Sequence, residues 1–237
     1  MKILLLFLFI FFSLIQANEP KTINAVLSLD KPPFIFGQTT QKGIEADLIK
    51  EIFNSLGYKV NIIQKSKNYI QTILDKENQY DIVATITPTN NKLFYSKSFT
   101  SYENFVITRA DEHININTID DLKNIKFVTW NGAYNDLGKK FYKLFNPLNG
   151  TSKLSYHDNL SQKNDVKMFF SKKVDAIIID KTIFNWFKIH LGNNDKYSFH
   201  SIFKKKKTYP VTFRSKELRD IFNKELERFK KMEDMMR

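Results

Sequence analysis

An α/β protein built as two lobes is what this sequence predicts, and three observations predict it. Short β-prone apolar runs alternate with stretches whose apolar residues recur at helical spacing, the pattern of strand and crossover helix. The alternation breaks off around residues 102–111 and then restarts, so two lobes of about 90 residues each fit better than one large domain. Of the 237 residues, 42% are hydrophobic and 14% aromatic, ample material for packed cores.

Residues 23–27 are β-prone and apolar, and Pro32-Pro33 ends any ladder beyond them because proline has no N–H to donate. Ile44, Leu48, Ile49, Ile52, Phe53 and Leu56 form the stripe of an amphipathic helix, and Gly57 stands where a left-handed C-terminal cap belongs. A strand follows over 58–63, then a short helix over 69–74 with Ile70, Ile73 and Leu74 inward, then a strand over 80–86. This βαβαβ order favours a largely parallel sheet with helices on both faces. Ligands of such sheets gather beyond the C-terminal ends of the strands, where the turns after Leu27 and Ala84 lie.

An extended stretch at 102–109 precedes the second unit, which opens on Thr118-Ile119-Asp120-Asp121, the Thr-x-x-acid spacing of a helix start. A strand over 126–130, a turn at Asn131-Gly132-Ala133, a helix over 134–145, a strand over 153–156 and a helix over 160–170 follow. Residues 174–179 make the most apolar strand of the chain, which ends at Asp180, and 183–189 return to helix. Beyond Lys204-Lys205-Lys206-Lys207 the pattern predicts a strand over 209–213 and a helix from 215 to about 231.

Composition narrows the function classes. Cysteine is absent, which excludes disulfides, thiolate zinc sites, cysteine nucleophiles and a lipid-bearing N-terminal cysteine. His113, His157, His190 and His200 are scattered away from metal-ligand spacing, and no serine or cysteine elbow is present, so no metal and no cofactor is expected. Lys and Arg number 37 against 25 Asp and Glu, and the resulting +12 is spread along the whole chain, naming no ligand by itself. After Lys2 the chain is apolar over 3–15 except for Ser13 and turns polar at Gln16, the pattern of a signal peptide over 1–17 cut near Ala17. The run is shorter than the roughly 20 residues of a spanning helix. An uncleaved anchor is the alternative, because Ile15 stands where a small residue is usual. The expected address is the periplasm.

Six segments, in order, resemble one family. They are Pro32-Pro33-Phe34-Ile35-Phe36, Gly43-Ile44-Glu45-Ala46-Asp47-Leu48-Ile49, Leu56-Gly57-Tyr58-Lys59-Val60, Tyr80-Asp81-Ile82-Val83-Ala84-Thr85-Ile86-Thr87, Tyr95-Ser96-Lys97-Ser98-Phe99 and Val174-Asp175-Ala176-Ile177-Ile178-Ile179-Asp180. They are similar to the motifs of the bacterial extracellular solute-binding proteins of family 3, the periplasmic receptors of amino-acid ABC transporters. The resemblance implies a two-lobe periplasmic-binding-protein-like fold with two hinge strands, near 105–109 and 203–213, and a central ligand cleft. Lobe 1 is expected over 18–106, lobe 2 over 107–204, and a return to lobe 1 over 205–237. The implied partners are a small polar solute and the membrane permease of an ABC importer, with no nucleic acid and a monomeric receptor.

The resemblance also implies a site. An Asp of the second lobe pairs a ligand ammonium, and Asp180 falls on that position, where it would equally serve as a helix N-cap. The family's carboxylate-binding Arg is missing: Asn90 takes its place if Thr87 is the motif threonine, and Lys92 if Thr89 is. Neither side chain has the two-point fork of arginine, so an altered ligand is expected, and Lys92 is otherwise a solvated lysine. Phe34 and Tyr69 lie where aromatics stack on ligands, or else pack in the core. Thr85 and Thr87 would offer hydroxyls at a strand end. Gly132, Ala133 and Tyr134 stand at a helix start whose free N–H groups favour an anion. Asp30 faces the cleft or caps the Pro-Pro turn.

Two other readings stand beside this one. A cyclohexadienyl dehydratase-like enzyme on the same fold would need a general acid, for which Glu45, Asp47 and Asp180 are the nominees. A protein of anionic surfaces would use Lys204 to Lys207 with Lys230 and Lys231. The receptor reading, which involves no chemistry, is the one the sequence favours.

Overall fold

A computed structural model of the chain describes residues 20–29, 31–37, 40–66, 69, 70, 73, 77–84, 92–147, 156–159, 161–203 and 206–236. The first lobe opens with β1 (Thr22–Ser28), α1 (Ile44–Asn54), β2 (Lys59–Lys65), β3 (Ile82–Ala84) and β4 (Phe94–Tyr95). The chain leaves it through β5 (Thr100–Tyr102). The second lobe then holds β6 (Asn104–Arg109), β7 (Phe127–Trp130), α2 (Lys139–Phe145), β8 (Tyr156–Asn159), α3 (Gln162–Phe170), β9 (Ala176–Asp180), α4 (Lys181–His190) and β10 (Tyr197–His200). A return through β11 (Lys207–Tyr209) leads to β12 (Val211–Phe213) and α5 (Lys216–Met236).

Among the described residues each lobe has one sheet, in the orders β2-β1-β3-β12-β4 and β10-β6-β9-β7-β8. The pairs β1–β2, β1–β3, β7–β8 and β7–β9 are parallel, as the alternation with helices requires. Strands at the passage between lobes are antiparallel instead: β12 to β3 and β4, β6 to β9, and β10 to β6. A strand arriving from the other lobe needs no crossover helix to join, so the sheets are mixed rather than largely parallel.

The lobes are bridged by a separate two-stranded ribbon in which β5 and β11 run antiparallel, with Lys207 opposite Tyr102 and Tyr209 opposite Thr100. The crossing expected at 105–109 is therefore made earlier, because Val106, Ile107, Thr108 and Arg109 are buried within the second sheet. The single strand expected over 209–213 is interrupted at Pro210, which has no N–H for a ladder; β11 stays in the ribbon and β12 enters the first sheet.

Period-two burial divides the cores. Ile23, Ala25 and Leu27 of β1 join α1 and Phe222 and Leu226 of α5 on one face of the first sheet, while Val26 meets Ile70, Ile73 and Val83 on the other. The final helix thus completes the first lobe. In β9, Ile177 and Ile179 face α3 and α4, and Ala176 and Ile178 face Phe127, Phe141 and Phe145. Gly57 adopts φ +80 at the end of α1, as a left-handed cap should, and Tyr58 N–H closes on the Phe53 carbonyl at 3.0 Å. The helix expected over 134–145 is divided at Gly138, whose φ of 99 lies outside the helical region; a short 3-10 turn, Ala133–Asn135, precedes it. The Thr118–Asp121 capping box is formed and opens the 3-10 helix Ile119–Asn124. Of the expected helix over 69–74, Tyr69, Ile70 and Ile73 are helical, and its other residues lie outside the described ones, as do 85 and 86 of the strand over 80–86 and residues 153–155. No helix among the described residues is long and apolar enough to cross a membrane.

One buried cation ties the second lobe together. Arg109, 4% exposed, donates Nη1 to the Phe169 carbonyl at 3.0 Å, Nη2 to the Val174 carbonyl at 2.9 Å and Nε to Glu112 at 2.6 Å. It closes the end of α3 onto the approach to β9. Arg109→Met should lower the unfolding free energy by about 3 kcal/mol, because it strands two buried carbonyls and a carboxylate. Urea denaturation checks it; a loss below about 1 kcal/mol would show that water reaches those carbonyls.

Candidate functional site

The turn after β1 brings the first lobe to the ribbon. Lys31 N–H donates to the Ile35 carbonyl at 2.9 Å and Ile35 N–H returns to the Lys31 carbonyl at 3.2 Å, closing a loop around Pro32-Pro33. The carbonyls of Pro33 and Phe34 accept from Ile44 N–H at 3.1 Å and Glu45 N–H at 2.9 Å, so the turn satisfies two of the orphan donors at the start of α1. The approach is so close that a Cβ on Gly43 would lie 2.6 Å from the Phe34 oxygen, and the φ of +124 there is itself a glycine conformation. This docking sets Glu45 on the same inward stripe as Ile49 and Ile52, with 1% exposure.

A carboxylate in that position needs a partner. Tyr102, in β5, donates its hydroxyl to Glu45 Oε1 and accepts from Lys31 Nζ. Lys31 Nζ also lies 3.5 Å from Glu45 Oε1 and 4.3 Å over the centre of the Tyr102 ring. Burial first, and the Glu45 charge second, push the Tyr102 phenol well above its ordinary range, so it remains a neutral donor. Phe34 meets the same ring edge-on at 4.7 Å.

From the second lobe, Asp180 reaches the same junction. Its Oδ1 accepts from Thr182 N–H at 2.8 Å and Ile183 N–H at 3.1 Å, capping α4, and its Oδ2 accepts from Glu103 N–H, next to the ribbon, at 2.7 Å. Burial raises its pKa, opposed by those three N–H groups and by the charge of Lys31. Apolar contacts span the lobes beside it: Phe34 packs into the cluster of Ile179 and Ile183, and Phe36 meets Trp186 of α4 edge-on at 5.6 Å. On the other strand of the ribbon, Lys207 Nζ donates to Asp136 Oδ1 at 3.2 Å and lies over the Tyr209 ring. Burial pulls the Lys207 pKa down, but the Asp136 carboxylate and the Tyr209 hydroxyl together outweigh it and the net shift is upward.

Of the sequence-nominated residues, Phe34 and Asp180 are brought together at the junction. Tyr69 is 41% exposed, with its hydroxyl donated to Glu77, which holds its pKa up at about 12, and with Lys65 over its ring. Lys92 is exposed. Gly132 takes a left-handed φ of 76, Ala133 is fully buried, and Tyr134 packs toward Tyr142 at 6.0 Å, so these three form a short turn against the aromatic core of the second lobe. Asp30, Thr85, Thr87 and Asn90 lie outside the described residues. Lys31 and Tyr102 were not singled out by sequence. The signal that points to them is Glu45, an acid on an apolar helical stripe, which demands a buried partner. Among the described residues no group of His, Cys, Asp or Glu is placed to hold a metal ion.

Comparison with protein families matches residues 23–237 to bacterial extracellular solute-binding proteins, family 3. No curated protein sequence gives a significant match. Among solved structures, an ancestral arginine-binding protein bound to arginine superposes with a TM-score of 0.67 at 19% identity, covering 90% of this chain and 94% of that one. A substrate-binding protein of an ABC uptake transporter from Streptococcus pneumoniae, with bound histidine, gives 0.66 at 17%, covering 90% and 87%. A histidine kinase sensor domain similar to periplasmic binding proteins gives 0.69 at 14%, covering 92% and 93%. At these identities the likeness is one of fold.

The raised pKa of Asp180 has a signed consequence. An acid whose folded pKa lies above its unfolded value binds more protons in the native state, so stability falls as pH rises through the interval between the two. Asp180→Asn carries no such titration. The melting temperature of the variant minus that of the parent should therefore increase from pH 4 upward and level off once Asp180 is fully ionised; a difference independent of pH would show that the buried carboxyl is not destabilised.

Proposed function

Since the chain belongs to the bacterial extracellular solute-binding proteins of family 3, we propose that it captures a small polar, amino-acid-like solute between its lobes and presents it to an ABC importer by hinge closure. The observation that carries this reading is the convergence of both sheets on one ribbon. The turn after the C-terminal end of β1 brings Phe34 there from one lobe, and the C-terminal end of β9 brings Asp180 from the other. Two lobes joined by two short strands are built to open and shut by small backbone rotations.

Asp180 is suited to a ligand ammonium while it caps α4. A carboxylate offers about four acceptor positions, and three are taken by backbone N–H groups. Phe34 and Tyr69 would supply apolar surface, and Thr85, Thr87, Asn90, Lys92 and the turn at Gly132, Ala133 and Tyr134 the remaining polar contacts. A binding role without chemistry is supported by the state of the acids nominated for catalysis. Glu45 is bound to Lys31 and Tyr102, Asp47 accepts from Gly43 N–H at 3.2 Å, and Asp180 is held by backbone. The surface reading loses ground for a similar reason, since Lys207 is paired with Asp136 and Lys230 donates to the Ser98 carbonyl at 2.8 Å. Residues 1–17 are proposed to direct export to the periplasm and to be removed there.

A thermal-shift panel of amino acids, small peptides, dicarboxylates and cyclohexadienyl acids tests the proposal. A true ligand at about a thousand times its Kd stabilises the native state by about 4 kcal/mol and raises the melting temperature by several degrees. Asp180→Asn should weaken that ligand by about 10- to 100-fold, the worth of a charge-assisted bond. A folded protein that responds to no amino-acid-like compound would overturn the reading.

A further inference from the structure

Three consecutive residues of the turn after β1 divide between the lobes. Ile35 is fully buried in the first-lobe core, while Phe34 and Phe36 on either side of it meet the second lobe. Phe34 packs with Ile179 and Ile183, and Phe36 meets the Trp186 ring edge-on, with centroids 5.6 Å apart and planes at 64°. Each ring of that last pair is held by its own lobe. Phe36 N–H donates to the Lys42 carbonyl at 2.8 Å, and the Phe36 carbonyl accepts from Gln64 Nε2 at 2.6 Å, both within the first lobe. Trp186 stands on α4 next to the buried Phe187, and the ring of His190, one turn on, stacks against it at 3.8 Å and 16°. A rotation of one lobe against the other therefore parts the two rings while each keeps its place in its own lobe.

We infer that Phe36 and Trp186 form a latch, apart from the residues proposed to touch the solute, that biases the lobes toward the closed arrangement. This rests on the receptor reading above, in which the lobes open and shut. Both rings belong to the chain, so the contact favours closure before a solute arrives as well as after. An edge-on aromatic pair made in only one of two states shifts their ratio by about 2- to 10-fold. A receptor biased in this way needs less differential affinity from its solute to complete closure. Phe36 and Trp186 are thus positioning residues, which act on the cleft through the arrangement of the lobes.

The chain has no cysteine, so Asn54→Cys and Lys163→Cys, at exposed positions of the first and second lobes, give sites for one pair of fluorophores. Single-molecule energy transfer in the labelled full chain, with no solute added, reads the open and closed populations, and circular dichroism checks folding. The ratio of open to closed molecules should rise by about 2- to 10-fold in Phe36→Ala and by a similar factor in Trp186→Ala. The variant carrying both should open no further than either alone, because the two substitutions remove one contact. Phe36→Tyr, which keeps the ring, should keep the parent's ratio. If Phe36→Ala does not fold, Trp186→Ala carries the comparison from the opposite lobe. Equal ratios in the parent and every folded variant, or a single population that no variant moves, overturn the latch. The receptor reading is decided separately by the thermal-shift panel and stands if a solute is found there.

Discussion

A lysine and a glutamate share one phenol where the two lobes meet, and the need to bury that pair with its partners organises the junction. Glu45 is carried inward by the helical stripe to which it belongs, and a buried carboxylate without a cation and a donor would cost several kcal/mol. The Pro-Pro turn delivers the cation and β5 delivers the donor. Each comes from a different part of the chain, so the ion pair aligns the turn, the start of α1 and the ribbon with one another. Phe34 then meets the second-lobe cluster, and Asp180 comes within the field of Lys31.

The ribbon explains how one chain holds two sheets together and still divides them. Strands that belong wholly to one lobe are joined by helices and pair in parallel, while those at the passage pair antiparallel. Pro210 marks the point where the returning strand leaves the ribbon for the first sheet. Lys207 and Asp136 add a polar tie from the ribbon to the second lobe. The bonds of the Tyr102 hydroxyl to Lys31 and Glu45 at one strand of the ribbon, and the Lys207–Asp136 pair at the other, keep its geometry defined, whereas the apolar contact of Phe36 with Trp186 depends on the two lobes being close.

Much of the fold is legible locally. The apolar stripe from Ile44 to Phe53, the cap at Gly57, the capping box at Thr118 and the strand ending in Asp180 are each written within a few residues, because helical and strand periodicities and cap chemistry are short-range. The division of the 134–145 helix at Gly138 and of the 209–213 strand at Pro210 are local signals too, outweighed in the reading by the apolar residues around them. Asp180 is legible as an N-cap from its place before Lys181. Its third bond, from Glu103, joins residues far apart in the sequence and has no local trace.

Taken alone, the sequence determined the order of elements, the two-lobe division and the family, since these follow from periodicity, punctuation and motifs spaced along the chain. Tertiary structure alone decided which strand crosses between the lobes and which polar residues meet there. Lys31 and Tyr102 are unmarked in their own neighbourhoods, and Glu45 and Asp180, which the local pattern does mark, carry no sign there of the distant groups they meet. Their relation arises because the ends of two separate sheets are folded onto one ribbon, and the cost of burying charge then selects the partners that can neutralise it.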